Sequence, residues 1–256
     1  MTSFRRVFIM VSTSTSFKNA VALITGANKG IGFETARQLG EQGIIVLIGA
    51  RDQNRGEEAV KKLVNENIKA KWIELDVTKQ QTVDSAAHIV EEEFGRLDIL
   101  INNAAVYLEG ELPSETQISK MRATFETNFF GAFIVIKAFI PLLKKSQNAG
   151  GGCIVNVSSR LASFGNNVEK TRLSYATSKA ALNMMTYQFA KEFENEKSNI
   201  KINSVNPGLA KTDMNNNNDK YDSPEVAARS IVYFATLPPN GPSGSFYGRD
   251  KTQHAW

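Results

Sequence analysis

The sequence predicts an α/β protein of the Rossmann type: one domain built on a doubly wound parallel sheet of about seven strands, with helices on both faces. Three observations predict it. Short apolar runs alternate with longer segments of helical period. The runs are almost continuously hydrophobic, as strands covered on both faces are, rather than alternating apolar and polar. A glycine-rich turn joins the first run to the first helical segment.

The runs are Val21 to Ile24, Ile44 to Ile48, Leu97 to Ile101 (interrupted by Asp98), Cys153 to Val157 (interrupted by Asn156) and Ile200 to Val205. Apolar positions three and four apart mark helices after Ile31, from Asn54 to Asn67, from Lys79 to Phe94, from about Glu115 to Lys145 and from Ser174 to Lys197. Ser223, Pro224 and Glu225 supply the cap, first-turn proline and acidic first turn of a last helix, which ends before Pro238 and Pro239. Repeated strand, helix, strand units require right-handed crossovers and one sheet. Residues 19–256 are read as one domain. Residues 1–18 are read as a flexible N-terminal tail, because the apolar stretch after Arg5 and Arg6 is too short for a signal-peptide core. Asn215 to Asn218 reads as a surface loop.

Composition narrows the function. The 256 residues are 42% hydrophobic with 18 Gly and 7 Pro, which excludes disordered and collagen-like chains. A single cysteine, Cys153, forbids an internal disulfide and suits a reducing, cytoplasmic setting. With only His88 and His254 beside it, a zinc site of Cys and His is not expected. Neither histidine accompanies a Gly-x-Ser-x-Gly elbow, which argues against a serine hydrolase. The net charge of +4 is spread along the chain, so no nucleic-acid partner is expected. No apolar run approaches the length of a membrane span.

In an open parallel sheet, ligands bind beyond the carboxyl ends of the strands. Thr25, Gly26, Ala27, Asn28, Lys29, Gly30, Ile31 and Gly32 stand there, after a strand and opening a helix, where free N–H groups and a positive helix end favour a pyrophosphate. The second strand ends in Gly49, Ala50 and Arg51, with no carboxylate at its tip for a ribose 2'-hydroxyl. Arg51 can fork onto a 2'-phosphate and Lys29 adds a second charge, which favours NADP over NAD. Asp52, next in the chain, weighs the other way if it turns inward.

Tyr175 and Lys179 lie four apart at the start of a helix, so phenol and ammonium share one face. A tyrosine near 10 is a poor proton donor at neutral pH, and making it an effective one takes about 4 kcal/mol. An ammonium about 4 Å away supplies that only at an effective dielectric near 20, so the pair is expected to be sheltered, with the lysine acidifying the phenol.

These features occur together in a pattern that resembles the short-chain dehydrogenase/reductase family from about Asn19 to Gly248. The motifs run in order: Thr25 to Gly32; Leu75-Asp76-Val77; Asn102-Asn103-Ala104-Ala105; Asn128; Val157-Ser158-Ser159; Tyr175 with Lys179; Pro207-Gly208 followed by Thr212. Lys29 combined with Gly49-Ala50-Arg51-Asp52 is similar to the family's NADPH-using carbonyl reductases. The resemblance implies a reductase of ketones or aldehydes that uses NADP(H) and acts on a small-molecule carbonyl or alcohol. It implies Tyr175 as general acid, Lys179 on the phenol and the nicotinamide ribose, Ser159 (rather than Ser158) on the carbonyl oxygen, and Asn128 holding a water. Gly26, Asn28, Lys29, Gly30, Ile31, Gly32, Arg51, Asp76, Val77, Asn103, Ala104, Pro207, Gly208 and Thr212 would line the cofactor, with Asp76 at the adenine.

Ala105 stands where the family usually has glycine. The 16-residue interval from Ser159 to Tyr175 leaves one pocket wall open in shape. Tyr107, Leu161, Phe164, Leu209, Met214 and Tyr221 are candidate apolar walls. Two other readings stay open: a 3-oxoacyl-carrier-protein reductase, which would need a basic docking patch, and a catalytically silent NADP-binding redox sensor, which needs no proton donor. The resemblance also implies a homo-oligomer, dimer or tetramer, through the helices from about Glu115 and Ser174. The stripe Leu182, Met185, Phe189 and Phe193 equally suits core against the sheet.

Overall fold

A computed structural model describes residues 17–108, 112–165 and 172–256. Seven parallel strands, β1 (Val21–Thr25), β2 (Ile45–Ala50), β3 (Ala70–Glu74), β4 (Ile99–Asn102), β5 (Cys153–Val157), β6 (Lys201–Val205) and β7 (Phe246–Tyr247), form one sheet in the order β3-β2-β1-β4-β5-β6-β7. The order reverses between β1 and β4, which opens a crevice at their carboxyl ends.

The central strands feed two cores, which is why the runs read as continuous. In β1, Ala22 and Ile24 enter a core covered by α1 (Gly30–Gly40), α2 (Gln53–Asn65) and α7 (Pro224–Ala235). Val21 and Leu23 enter the opposite core, covered by α3 (Gln80–Phe94), α5 (Ala132–Leu143) and α6 (Leu173–Asn195). Leu182, Met185, Phe189 and Phe193 are buried there. Asp98, the polar break in the predicted run, stands just before β4, where it accepts hydrogen bonds from Val21 N–H, Ser146 Oγ and Gln147 N–H and pairs with Arg96.

The long predicted helix is divided: α4 (Ile118–Phe125) runs into a π-helical turn, Glu126–Gly131, before α5. The helical stretch Ile118–Leu143 has a mean hydropathy of 1.5 and is, by length and composition, apolar enough to cross a membrane. Here its Val135, Ile136 and Phe139 fill the second core. Two of the residues read as tail, Phe17 and Lys18, are among the described residues. Phe17 packs half-buried on the first core and its carbonyl accepts from Ala20 N–H; residues 1–16 lie outside the described residues.

Candidate active site

The crevice is a cleft of about 1890 Å³, larger than an ordinary small-ligand pocket. Its floor is the glycine turn between β1 and α1. Gly26 has φ +64°, a region that disfavours side chains, and a Cβ there would stand 3.0 Å from Ala104 Cα. At Gly32 a Cβ would fall 2.5 Å from Asn103 Nδ2 and 2.7 Å from the Gly26 carbonyl, so only hydrogen fits. Thr25 organises the edge, its Oγ1 accepting from Asn103 N–H (3.0 Å) and Ala104 N–H (2.9 Å). Asn103 Nδ2 donates to the Thr25 and Gly26 carbonyls, so this side chain shapes the turn. The cradle of bare backbone at a helix start suits a dinucleotide pyrophosphate.

At the end of β2, Arg51 is exposed on the cleft wall. Asp52 caps α2 instead, its Oδ1 accepting from Arg55 N–H at 2.9 Å, which commits this carboxylate to the helix. Lys29 is not an unengaged cation, because Asp213 Oδ2 lies 2.5 Å from its Nζ. Burial opposes ionisation of Asp76, but hydrogen bonds from Thr78, with Lys79 and Arg51 nearby, hold its carboxyl below the usual range.

On the opposite side β5 delivers two serines with different fates. Ser158 is buried and donates to Asn183 Oδ1 at 2.7 Å, whereas Ser159 faces the cleft and accepts from Leu161 N–H at 3.2 Å. Ser159 therefore keeps its own proton to donate. The first turns of α6 bring Tyr175 and Lys179 to the same wall. The Tyr107 ring meets Tyr175 edge-on at 5.5 Å, and the Arg172 guanidinium lies 5.7 Å from the Tyr107 ring centre.

The electrostatics differ from the expectation of an acidified phenol. Lys179 is buried and donates to the Val157 carbonyl at 2.8 Å, while its Nζ sits 5.8 Å from the Tyr175 ring centre. Burial lowers its ammonium from 10.5 to about 7. Burial, then Tyr107, raises the Tyr175 phenol to about 12. The shelter meant to strengthen the ion pair makes both charges expensive, and here desolvation outweighs attraction.

Of the expected site residues, the cleft gathers the turn from Gly26 to Gly32, Arg51, Asp76, Val77, Asn103, Ala104, Ser159, Tyr175, Lys179, Pro207, Gly208 and Thr212. Asn128 is the exception. It is fully buried in the π-helical turn, where Oδ1 accepts from Val106 N–H and Nδ2 donates to the Val106 carbonyl and Ser178 Oγ. Its amide ties the loop after β4 to α6. Among the candidate walls, Tyr107, Leu161, Leu209, Met214 and Tyr221 line the cleft, but Phe164 is 94% exposed and does not. Sequence reading missed Arg160, Arg172, Arg249 and His254, which also line it. The last two come from the chain after β7, which folds back so that Tyr247 bridges Gln253, and no motif announces them.

The family model for short chain dehydrogenases matches residues 20–222. The chain belongs to that family. It is 31% identical over 314 residues to (+)-neomenthol dehydrogenase of Capsicum annuum, covering 94% of this chain and 98% of that protein. It is 30% identical over 279 residues to carbonyl reductase (NADPH) 1 of Rattus norvegicus, covering 92% and 98%. The fold superposes on the crystal structure of an NADPH-bound carbonyl reductase from chicken fatty liver with TM-score 0.82 at 27% identity, covering 93% of this chain and all (100%) of that one.

Proposed function

We propose that the protein is an NADPH-dependent reductase that converts a ketone or aldehyde to an alcohol, with Tyr175 as the general acid. The observation that carries this reading is the meeting of Ser159, Tyr175 and Lys179 in a cleft continuous with the glycine turn. When bound, NADPH supplies the hydride. The protein's part is the proton. Ser159 donates a hydrogen bond to the carbonyl oxygen, and Tyr175 delivers its proton there as negative charge develops. A neutral phenol suits this direction, because a forming alkoxide is a stronger base than a phenolate. Lys179 takes the ribose side, the glycine turn takes the pyrophosphate, and Arg51 takes the 2'-phosphate.

The substrate is a medium-sized carbonyl compound held against Tyr107, Leu161, Leu209, Met214 and Tyr221. Leu209 and Met214 stay partly exposed, so the mouth is open and several such compounds fit. Three of the cations that line the cleft, Lys29, Lys211 and Arg249, are paired with Asp213, Asp219 and Asp222, which weakens the case for an acidic carrier protein. NADPH oxidation against a panel of ketones, aldehydes and quinones tests the proposal; no turnover on any member would overturn it. Arg51→Ala is expected to raise KM for NADPH about tenfold or more and to leave KM for NADH little changed, as loss of a charge-assisted contact requires. Equal effects on both nucleotides would remove Arg51 from the 2'-phosphate.

The single buried thiol, Cys153, supports a cytoplasmic location. Self-association is supported by an apolar face on the helices beside the site, where Phe130, Phe133, Met184 and Tyr187 are between 37% and 59% exposed. A dimer or tetramer is expected by light scattering, and Phe133→Glu should reduce it to the monomer mass; a monomeric parent protein would end this reading.

A further inference from the structure

The phosphate turn offers one lysine, and a carboxylate from a distant part of the chain already holds it. Asp213 lies on the loop between β6 and α7, in a short helical turn, Asp213–Asn215. Its Oδ2 takes Lys29 Nζ at 2.5 Å, and its Oδ1 accepts from Asn217 Nδ2 at 3.2 Å. A second cavity of about 330 Å³ opens at this point, lined by Asn28, Lys29, Arg55, Glu58, Lys62 and Asp213 among others. Three cations converge on it, and Asp213 is the anion in contact with one of them. Next to Asp213, Thr212 lies over the turn, its Cγ2 3.3 Å from where a Cβ of Gly30 would stand. The loop's roots are tied separately by the pairing of Ala210 with Asp222.

We propose that Asp213 is an internal rival of the cofactor's 2'-phosphate for Lys29 and thereby sets how strongly the protein prefers NADPH over NADH. The proposal rests on the reading of the cofactor as NADP with Lys29 beside its 2'-phosphate. An ammonium is a compact point charge, and it cannot satisfy a carboxylate and a phosphate dianion at full strength together. NADPH must therefore loosen the Lys29–Asp213 pair, whereas NADH, with a 2'-hydroxyl, leaves it intact. The two side chains are 58% and 61% exposed, so the pair is screened and the rivalry is modest. Asp213 lies next to Met214 in the substrate wall, so the rivalry also ties the nucleotide bound to the loop that meets the substrate.

The test is the dissociation constants of NADPH and NADH, by fluorescence titration, for the parent, Asp213→Asn, Lys29→Ala and the double variant. Asp213→Asn is expected to tighten NADPH about two- to fivefold, the range of an exposed ion pair, and to leave NADH unchanged. In the Lys29→Ala background the same substitution is expected to change neither, which separates rivalry for Lys29 from a general gain in positive potential. Weaker NADPH binding in Asp213→Asn, or an equal change for both nucleotides, would overturn the proposal and make the pair a brace for the turn. If Lys29→Ala weakens NADPH while Asp213→Asn does not tighten it, the rivalry alone falls. If Lys29→Ala leaves NADPH affinity unchanged, the placing of Lys29 at the 2'-phosphate falls with it.

Discussion

Replacing Tyr175 by phenylalanine is expected to lower kcat for carbonyl reduction by about 10²- to 10⁴-fold, the usual contribution of a positioned proton donor. NADPH affinity should change by less than about twofold, because the substitution removes only the hydroxyl. The ring keeps its edge contact with Tyr107, and Lys179 keeps its bond to the Val157 carbonyl. The pH profile carries a second prediction with its sign fixed. Reduction uses the protonated phenol, and burial with Tyr107 holds that group up to about 12, so the phenol's own ionisation leaves reduction unaffected across neutral pH. Alcohol oxidation uses the phenolate and should rise with pH over the same range. A variant that turns over as fast as the parent would remove Tyr175 from the chemistry. A parent that binds NADPH tightly yet reduces nothing would favour a redox sensor.

The sheet was legible because burial on both faces leaves a plain signature: Val21 and Leu23 serve one core, Ala22 and Ile24 the other. β3 was not, since Ala70–Glu74 is an edge strand with only Ile73 fully buried, and exposed neighbours dilute the pattern. The site was legible where function demands local spacing, as in Tyr175 and Lys179 or the glycines of the turn. It was not legible where residues far apart in sequence decide the outcome. Ser158 and Ser159 are alike until Asn183 claims the first. Asn128 is set in place by Val106 and Ser178, both distant from it in sequence. α6 itself was legible, Ser174 to Lys197 against Leu173–Asn195, but its buried face carries Ser174, Ser178, Lys179, Asn183 and Thr186 beside the apolar stripe, and their partners were not legible. Part of that face joins a buried ladder in which Asn102 donates to Asn156, Asn156 to Thr186, and Thr186 meets Ser204. Such a ladder fixes the setting of α6 against three strands, and with it the place of Tyr175.

Lys179→Met is expected to stabilise the protein while disabling it. Lys179 is 2% exposed, and burial has moved it from 10.5 down to about 7. Its charged form is favoured in the unfolded chain and disfavoured in the folded one. At about 1.36 kcal/mol per pH unit, the cost of folding around it is on the order of 5 kcal/mol. The sign follows from proton binding. Between pH 7 and 10.5 the unfolded chain holds a proton that the folded chain does not, so the cost is complete below about pH 7 and vanishes above about 10.5. Methionine removes the charge but strands the Val157 carbonyl, which returns about 1–3 kcal/mol of the gain. A net 2 kcal/mol or so corresponds to a Tm about 4–8 °C above the parent's at pH 6.5 for a chain of this size. The advantage should shrink by pH 9.5, and that difference is independent of the stranded carbonyl. Carbonyl reduction should fall at least about 100-fold at both pH values. Thermal unfolding of parent and variant at the two pH values decides the matter: a difference between them that does not change with pH would mean that Lys179 is not held against its own solvation, and a loss of stability at both would mean that the stranded carbonyl outweighs the relief. On the proposed reading the cleft needs this amine and the fold does not.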